Sequence, residues 1–447
     1  MSASSLLQRS GRMPPKMAES YDHEKRAAAD ELATSIPRCV DADGGRVLGV
    51  ERWLAHRMLQ AIGRPPVHLV LWNGEEIGES NVRPVARILV RDRATFWKML
   101  FDTDVQFGDG YSDGRLEVEG DLVGMLEAIS RSRMAVRRSG SLLPAALHRA
   151  LRRARTNSLS GARKNIHHHY DVGNDFYKLW LDEEMVYSGA YFSSPTMTLE
   201  AAQRAKLDYV CRKLWLKPGE TVVEVGGGWG AMALWMARNY GVAVKSFNIS
   251  KPQIAYARER AKAEGLDAQV EFIEDDYRNI RGHFDALVSL GMLEHVGASH
   301  YREFGHMMDR CLNSTGRGLI QSIGQDQPDD INPWIERRIF PGAYPPTLRE
   351  MTDLVEPSGF SVLDIENLRL HYAMTLRHWL GRFEASAAAV ARMFDDRFVR
   401  MWRLYLAGSC AAFTSGGLQL FQVVFARPGV NGIPWNRARL YAENTRQ

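Results

Sequence analysis

One run constrains this chain more than any other. An apolar β signal, Thr221–Val225, leads into Glu224-Val225-Gly226-Gly227-Gly228-Trp229-Gly230 and then into a helix signal, Ala231–Asn239. The alternation continues: Val242–Asn248 reads as a strand, Gln253–Glu264 as a helix, and Val270–Ile273, Ala286–Leu290 and Gly318–Ile323 as further strands. Strands alternating with helices predict an α/β fold built on a doubly wound parallel sheet. Such sheets bind ligands beyond the carboxyl ends of their strands.

Glycines at the end of the first strand let backbone approach a ligand closely, and the following helix N-terminus offers free N–H groups. The loop also satisfies GxGxxG/A, with Ala231 last. A dinucleotide site wants an acid about 20 positions further on, at the end of the second strand. That end is Asn248-Ile249-Ser250, with no acid before Glu259. On its own the loop is compatible with a nucleotide-type cofactor or with a structural turn.

The chain has 447 residues, enough for two or three domains. Apolar (45%) and charged (25%) fractions exclude a disordered, collagen-like or disulfide-stapled chain. The net charge of +4 is unevenly spread. Arg131 to Lys164 holds ten Lys/Arg and no acid, so these 34 residues carry +10 and the remainder about −6. Such a block on a mildly acidic body predicts one surface for an anionic partner, nucleic acid or membrane. The block itself has no aromatic residue for base stacking, which argues against nucleic acid. Pro144 opens an amphipathic helix signal within it, Leu147, Leu151 and Ala154 opposite Arg149, Arg152, Arg153 and Arg155.

Four segments are expected: a disordered tail (1–35), a small α+β domain (36–130), the basic linker (131–164) and the large α/β domain (165–447). In the small domain, Arg52–Ile62 reads as a helix, and Val67–Trp72, Val85–Val90 and Arg115–Val118 as strands. The four cysteines (Cys39, Cys211, Cys311, Cys410) form no CxxC pair, which fits a reducing cytosol. Met1–Arg12 lacks the apolar core of a signal peptide. Leu404–Ala426 is uncharged but contains Gly416-Gly417 and several polar residues; it reads as a buried helix ending near Gly416, then a strand Leu418–Phe425.

Further motifs narrow the reading. Asn165-Ile166-His167-His168-His169-Tyr170-Asp171-Val172-Gly173-Asn174-Asp175-Phe176-Tyr177, Tyr187-Ser188-Gly189-Ala190-Tyr191-Phe192, the glycine loop, and Gly291-Met292-Leu293-Glu294-His295-Val296-Gly297 stand in order. Together they resemble the cyclopropane-fatty-acid synthase family, over about 160 to 427. Phe107-Gly108-Asp109-Gly110-Tyr111 also resembles part of that family's N-terminal domain. The resemblance implies a Rossmann-like methyltransferase sheet and a cofactor, S-adenosylmethionine. The implied reaction is methyl transfer to a carbon–carbon double bond of an unsaturated acyl chain of phospholipid. It makes the histidine tract a turn rather than a metal site, and no metal is expected.

By matching position, the resemblance gives cofactor contacts to Tyr187, Ser188, Glu224 (where the family usually has Asp), Gly226, Gly228, Asn248, Gln253, Asp276 and Tyr277. A bound bicarbonate is the family's proton acceptor. Its ligands carry over to Gly189, Glu294, Gln321, Ile323 and Tyr372. Two of these depart from the pattern: Gly189 replaces Cys and Gln321 replaces His. Glutamine can donate a hydrogen bond but carries no charge and shuttles no proton near neutrality. That puts bicarbonate in doubt and leaves an enclosed Glu294 as a candidate base.

The departures shift expectation toward a methyl-branched unsaturated product. A true cyclopropane synthase, a small-molecule amine methyltransferase and a non-catalytic lipid-binding protein are the alternatives. The expected setting is cytoplasmic, peripheral on the inner face of the cell membrane, docked through the basic block on anionic phospholipid. A homodimer or higher oligomer is left open.

Overall fold

The computed structural model describes residues 45–79, 81, 83–138 and 172–441. The histidine tract, Pro144 and most of the basic block lie outside the described residues. The chain divides into two compact units, one of 1–103 with 113–141, the other of 104–112 with 142–447.

The first unit carries a four-stranded sheet, β1 (Val67–Val70), β2 (Glu76–Ile77), β3 (Ala86–Val90) and β4 (Leu116–Gly120), in the order β2-β1-β3-β4. β1 and β3 run parallel, and the other pairs are antiparallel. Helices Gly49–Ala61, Arg93–Phe101 and Leu122–Arg138 belong to it, and the last carries Arg131, Arg133, Arg137 and Arg138 of the basic block.

The second unit is built on a seven-stranded sheet. Its strands are β5 (Thr221–Val225), β6 (Ala243–Asn248), β7 (Val270–Glu274), β8 (Phe284–Leu290), β9 (Leu312–Gly324), β10 (Ser361–Asn367) and β11 (Gln419–Ala426), ordered β10-β11-β9-β8-β5-β6-β7. β11 is antiparallel to both neighbours; the remaining pairs are parallel. Strand order reverses between β5 and β8, so the crevice for a ligand opens at the end of β5. Separate apolar clusters cover the two faces, one around Leu207, Met232 and Val288, the other around Phe304, Met308 and Val423.

The turn before β11 follows from Gly416. It caps helix Asp396–Ser415 in the left-handed region (φ 89°), which glycine enters without a Cβ penalty, and β11 then runs fully buried. No helix among the described residues is long and apolar enough to cross a membrane.

The helix Thr103–Ser112, with Phe107 to Tyr111, is grouped with the second unit from Asp104 onward. Asp109 accepts from Arg338 (2.7 and 3.0 Å) and from Trp334 Nε1 (3.2 Å). Gly108 lies so close to Trp334 that a Cβ there would sit 2.4 Å from the indole. The motif is therefore a packing surface for helix Pro333–Arg338.

Candidate active site

At the end of β5, Glu224 faces Ser246 directly across the β5–β6 ladder. Ser246 Oγ donates to Glu224 Oε2 at 2.6 Å. Burial pushes the Glu224 carboxyl up to about 7; the Ser246 hydrogen bond and the Lys206 charge pull the other way. The glycine loop then turns tightly above this pair. A Cβ on Gly227 would lie 2.0 Å from Ser246 Oγ and 2.8 Å from Glu224 Oε2. Gly228 requires glycine for a different reason, a φ of 52° facing open space.

Asn248, where a dinucleotide site would place an acid, instead clamps the loop. Its Nδ2 donates to Gly228 O (3.2 Å) and Gln253 Oε1 (2.9 Å), while its Oδ1 accepts from Ile249 and Ser250 N. A neutral amide committed to the loop is not the ribose acceptor of a dinucleotide fold.

Tyr187, Ser188, Glu224, Gly226, Gly228, Asn248 and Gln253 line one cavity together with Lys206, Trp229 and His295. Asp276 and Tyr277 are not among its lining residues. Both are buried just past β7, Asp276 accepting from Arg278 N at 3.0 Å and Tyr277 packed on Phe304. The Asn174 side chain accepts from Trp229 Nε1 at 2.8 Å, tying 172–177, the described end of the motif at 165–177, to the glycine loop.

The second cluster assembles through β9 and β11. Gln321 and Gln422 are opposite one another, as are Ile323 and Leu420. Glu294, in the short helix after β8, is buried, and its Oε1 accepts from Ile323 N at 2.5 Å. Tyr372, on helix Arg369–Ala385, packs against Gly189: a Cβ on Gly189 would lie 3.1 Å from Tyr372 Cγ and 2.9 Å from Leu420 Cδ2. The same helix holds the strip after Gly189, with Ala190 N donating to Thr375 Oγ1 (2.9 Å) and Phe192 N to His371 Nδ1 (3.0 Å). Gly189, Glu294, Gln321, Ile323 and Tyr372 thus converge from four separate chain segments.

Two features of this cluster do not fit a bicarbonate. The Ile323 N–H is already used by Glu294. Gln422, fully buried, donates to Gln321 Oε1 at 2.8 Å, which orients the Gln321 amide. Two buried acceptors, Glu294 Oε2 and Gln422 Oε1, have no partner and would repel an anion. Burial raises the Glu294 carboxyl to about 7, so the group that repels is itself able to take a proton. His295 beside it is held neutral by burial, its pKa pushed down to about 4.

Sequence reasoning missed Lys206, Gln203 and Gln422. Lys206 and Gln203 stand one turn apart on the buried face of helix Leu199–Lys213, and Gln422 interrupts an apolar strand. Polar residues on otherwise apolar faces were the available signal.

A seven-stranded sheet with one antiparallel strand, and a cavity at its reversal point lined by a glycine turn and a strand-end carboxylate, is the architecture of an S-adenosylmethionine-dependent methyltransferase. The comparisons agree and go further. The family described as mycolic acid cyclopropane synthetase matches residues 157–423, and the chain belongs to it. A second family, a domain of unknown function, matches residues 54–140. A probable fatty acid methyltransferase of Pseudomonas putida is 34% identical over 395 residues, 84% of this chain and 96% of that protein. The cyclopropane-fatty-acyl-phospholipid synthase of Escherichia coli K12 is 41% identical over 266 residues, 59% of this chain and 68% of that protein. The structure of mycolic acid cyclopropane synthase CmaA1 complexed with SAH and CTAB superposes with a TM-score of 0.57 at 28% identity, over 59% of this chain and 98% of that one.

The Gly227 contacts generate a direct expectation. Gly227→Ala should weaken S-adenosylhomocysteine binding by ~10- to 100-fold, the scale of an overpacked site, because its Cβ displaces Ser246 or Glu224. Isothermal titration calorimetry measures it; unchanged affinity would show that the loop tolerates a side chain.

Proposed function

We propose that this chain methylates a carbon–carbon double bond of an unsaturated fatty acyl chain in phospholipid and releases a methyl-branched, still unsaturated product. The observation that carries this reading is the orphaned, buried Glu294 Oε2 in a cluster where the Ile323 N–H is already held by the other oxygen of the same carboxyl. Bound, S-adenosylmethionine supplies an electrophilic methyl that the alkene attacks with its π electrons, leaving positive charge on the acyl chain.

The chain's own residues handle that charge and the proton loss that quenches it. Aromatic faces tolerate a nearby cation, and the Tyr372, Trp379 and Tyr187 rings form a continuous wall, with centroids 5.9 and 5.3 Å apart. Glu294 Oε2 takes a proton from a carbon next to the cationic carbon, and the electrons of that C–H bond become the new double bond. Gln321, uncharged, holds no second base to redirect the loss toward ring closure. Ring closure remains the second reading, favoured by the 41% identity to the Escherichia coli synthase.

The deciding experiment incubates the protein with S-adenosylmethionine and unsaturated phospholipid, then takes mass spectra and proton NMR of the released esters. Methyl-branched alkenes should dominate, with no change when bicarbonate is depleted; upfield ring protons as the main signal would overturn the reading. Gln321→His should raise the ring-bearing share. Adding Gly189→Cys should cost about 1–3 kcal/mol of stability, because its Cβ meets Leu420 and Tyr372.

Glu294 also has a pH signature. Its carboxyl must be ionised to accept the proton, so turnover should rise with pH through about 7. The same raised pKa means that its contribution to stability, full below about 4.5, is lost as pH climbs through about 7. Glu294→Gln should abolish turnover yet flatten that decline in melting temperature, leaving the share from Glu224 and Asp182, whose pKa values burial also raises. An active Glu294→Gln variant would remove the proposed base.

The basic block would dock the enzyme on anionic lipid at the inner face of the membrane, at ~1 kcal/mol per engaged Lys or Arg. Sedimentation with liposomes should show binding that needs anionic lipid and weakens with salt; salt-insensitive binding to neutral liposomes would contradict it.

A further inference from the structure

Lys206 is the most buried cation bordering the cofactor cavity, with 1% of its surface exposed. Its only hydrogen bond among the described residues is from Nζ to Ser188 Oγ, at 3.2 Å. It makes no ion pair there. An ammonium has three protons to donate, and burying one without an anionic partner is costly. Two acids, Asp182 and Glu224, act on it electrostatically, but neither forms an ion pair with it among the described residues. Asp182 accepts from the backbone N–H groups of Glu184 and Val186, each at 3.0 Å, and Glu224 accepts from Ser246.

The helix that carries Lys206 also fixes the loop it faces. Gln203, one turn earlier, donates to Ser188 O at 2.9 Å. Lys206 and Ser188, joined by their hydrogen bond, both line the cavity. The cofactor has one anionic group, the α-carboxylate of its methionine part.

We propose that Lys206 binds the α-carboxylate of S-adenosylmethionine, completing with the ligand the ion pair that the protein leaves unmade. This rests on the assignment of the cavity to that cofactor. It makes Lys206 a selectivity device as well as an anchor: a ligand with the adenosine and sulfur but no carboxylate gains nothing from it. Burial lowers the lysine toward about 8, with Asp182 and Glu224 opposing, so a substantial share stays charged at neutral pH.

The test compares ligands rather than turnover. Lys206→Met should weaken S-adenosylhomocysteine binding by ~10- to 100-fold in calorimetry, the scale of a lost charge-assisted hydrogen bond. The same variant should bind 5′-methylthioadenosine, which lacks the amino-acid part, within about 2-fold of the parent protein. Without ligand, Lys206→Met should melt no lower than the parent, since a similarly sized apolar side chain replaces a buried unpaired charge.

Equal loss for both ligands would assign Lys206 to holding Glu224 or the fold, and no loss for either would leave it without a ligand role; each result overturns the proposal. If the variant fails to fold, the parent protein still decides. It should bind S-adenosylmethionine at least about 10-fold more tightly than decarboxylated S-adenosylmethionine, and equal binding overturns the assignment. Failure of the parent to bind any of these ligands would instead remove the cofactor assignment itself.

Discussion

Glu224 and Ser246 meet across two adjacent parallel strands, and the 2.6 Å bond between them sets the floor on which the cofactor cavity is built. A carboxylate can be buried there because a hydroxyl donates to it and a lysine charge lies nearby. The turn above must then pass within contact distance of both side chains, which leaves Gly227 no space for a Cβ. From that turn follow the start of helix Ala231–Tyr240, the Trp229–Asn174 link and the amide clamp of Asn248. The same burial leaves Lys206 with one hydrogen bond, to Ser188 Oγ, and no ion pair among the described residues.

A second, buried cluster of polar side chains is organised by β11. Because β11 runs antiparallel beside β9, Gln422 falls opposite Gln321 and Leu420 opposite Ile323. Two departures from the family pattern are absorbed there in different ways. The loss of a side chain at position 189 is filled by Tyr372 and Leu420, so no hole remains. The loss of an imidazole at 321 is met by a partner, Gln422, which orients the amide. Glu294 has one oxygen on Ile323 N and the other unpartnered, the arrangement on which its proposed role as base rests.

Much of the second unit was legible in the chain. Strand signals at Thr221–Val225 and Val270–Ile273 match β5 and β7 to within a residue: β5 is almost wholly buried and rich in valine, while β7, at the sheet edge, buries Val270 and Phe272 in alternation. The Gly416 break separated helix from strand for a backbone reason that no packing could alter. β10 escaped notice because its residues are only half buried and alternate weakly. Helices Arg93–Phe101 and Leu122–Arg138 were missed too: the first is short, and the second carries arginines that read as a linker. Gln203, Lys206 and Gln422 could be read as polar intrusions, but their partners are remote in sequence.

The sequence by itself determined the alternation of strands and helices, the glycine turn, the absence of a ribose acid after the second strand, and the motifs that place the chain in its family. These are local properties: propensity, periodicity and the backbone freedom of particular glycines. Only the tertiary structure decided what the substituted positions mean. Whether Gly189 leaves a gap, whether Gln321 offers its oxygen or its nitrogen, and what Lys206 bonds to all depend on residues 18 to 231 positions away. Their meeting is set by strand order and helix packing, and burial then converts an ordinary glutamate into a group that titrates near neutrality.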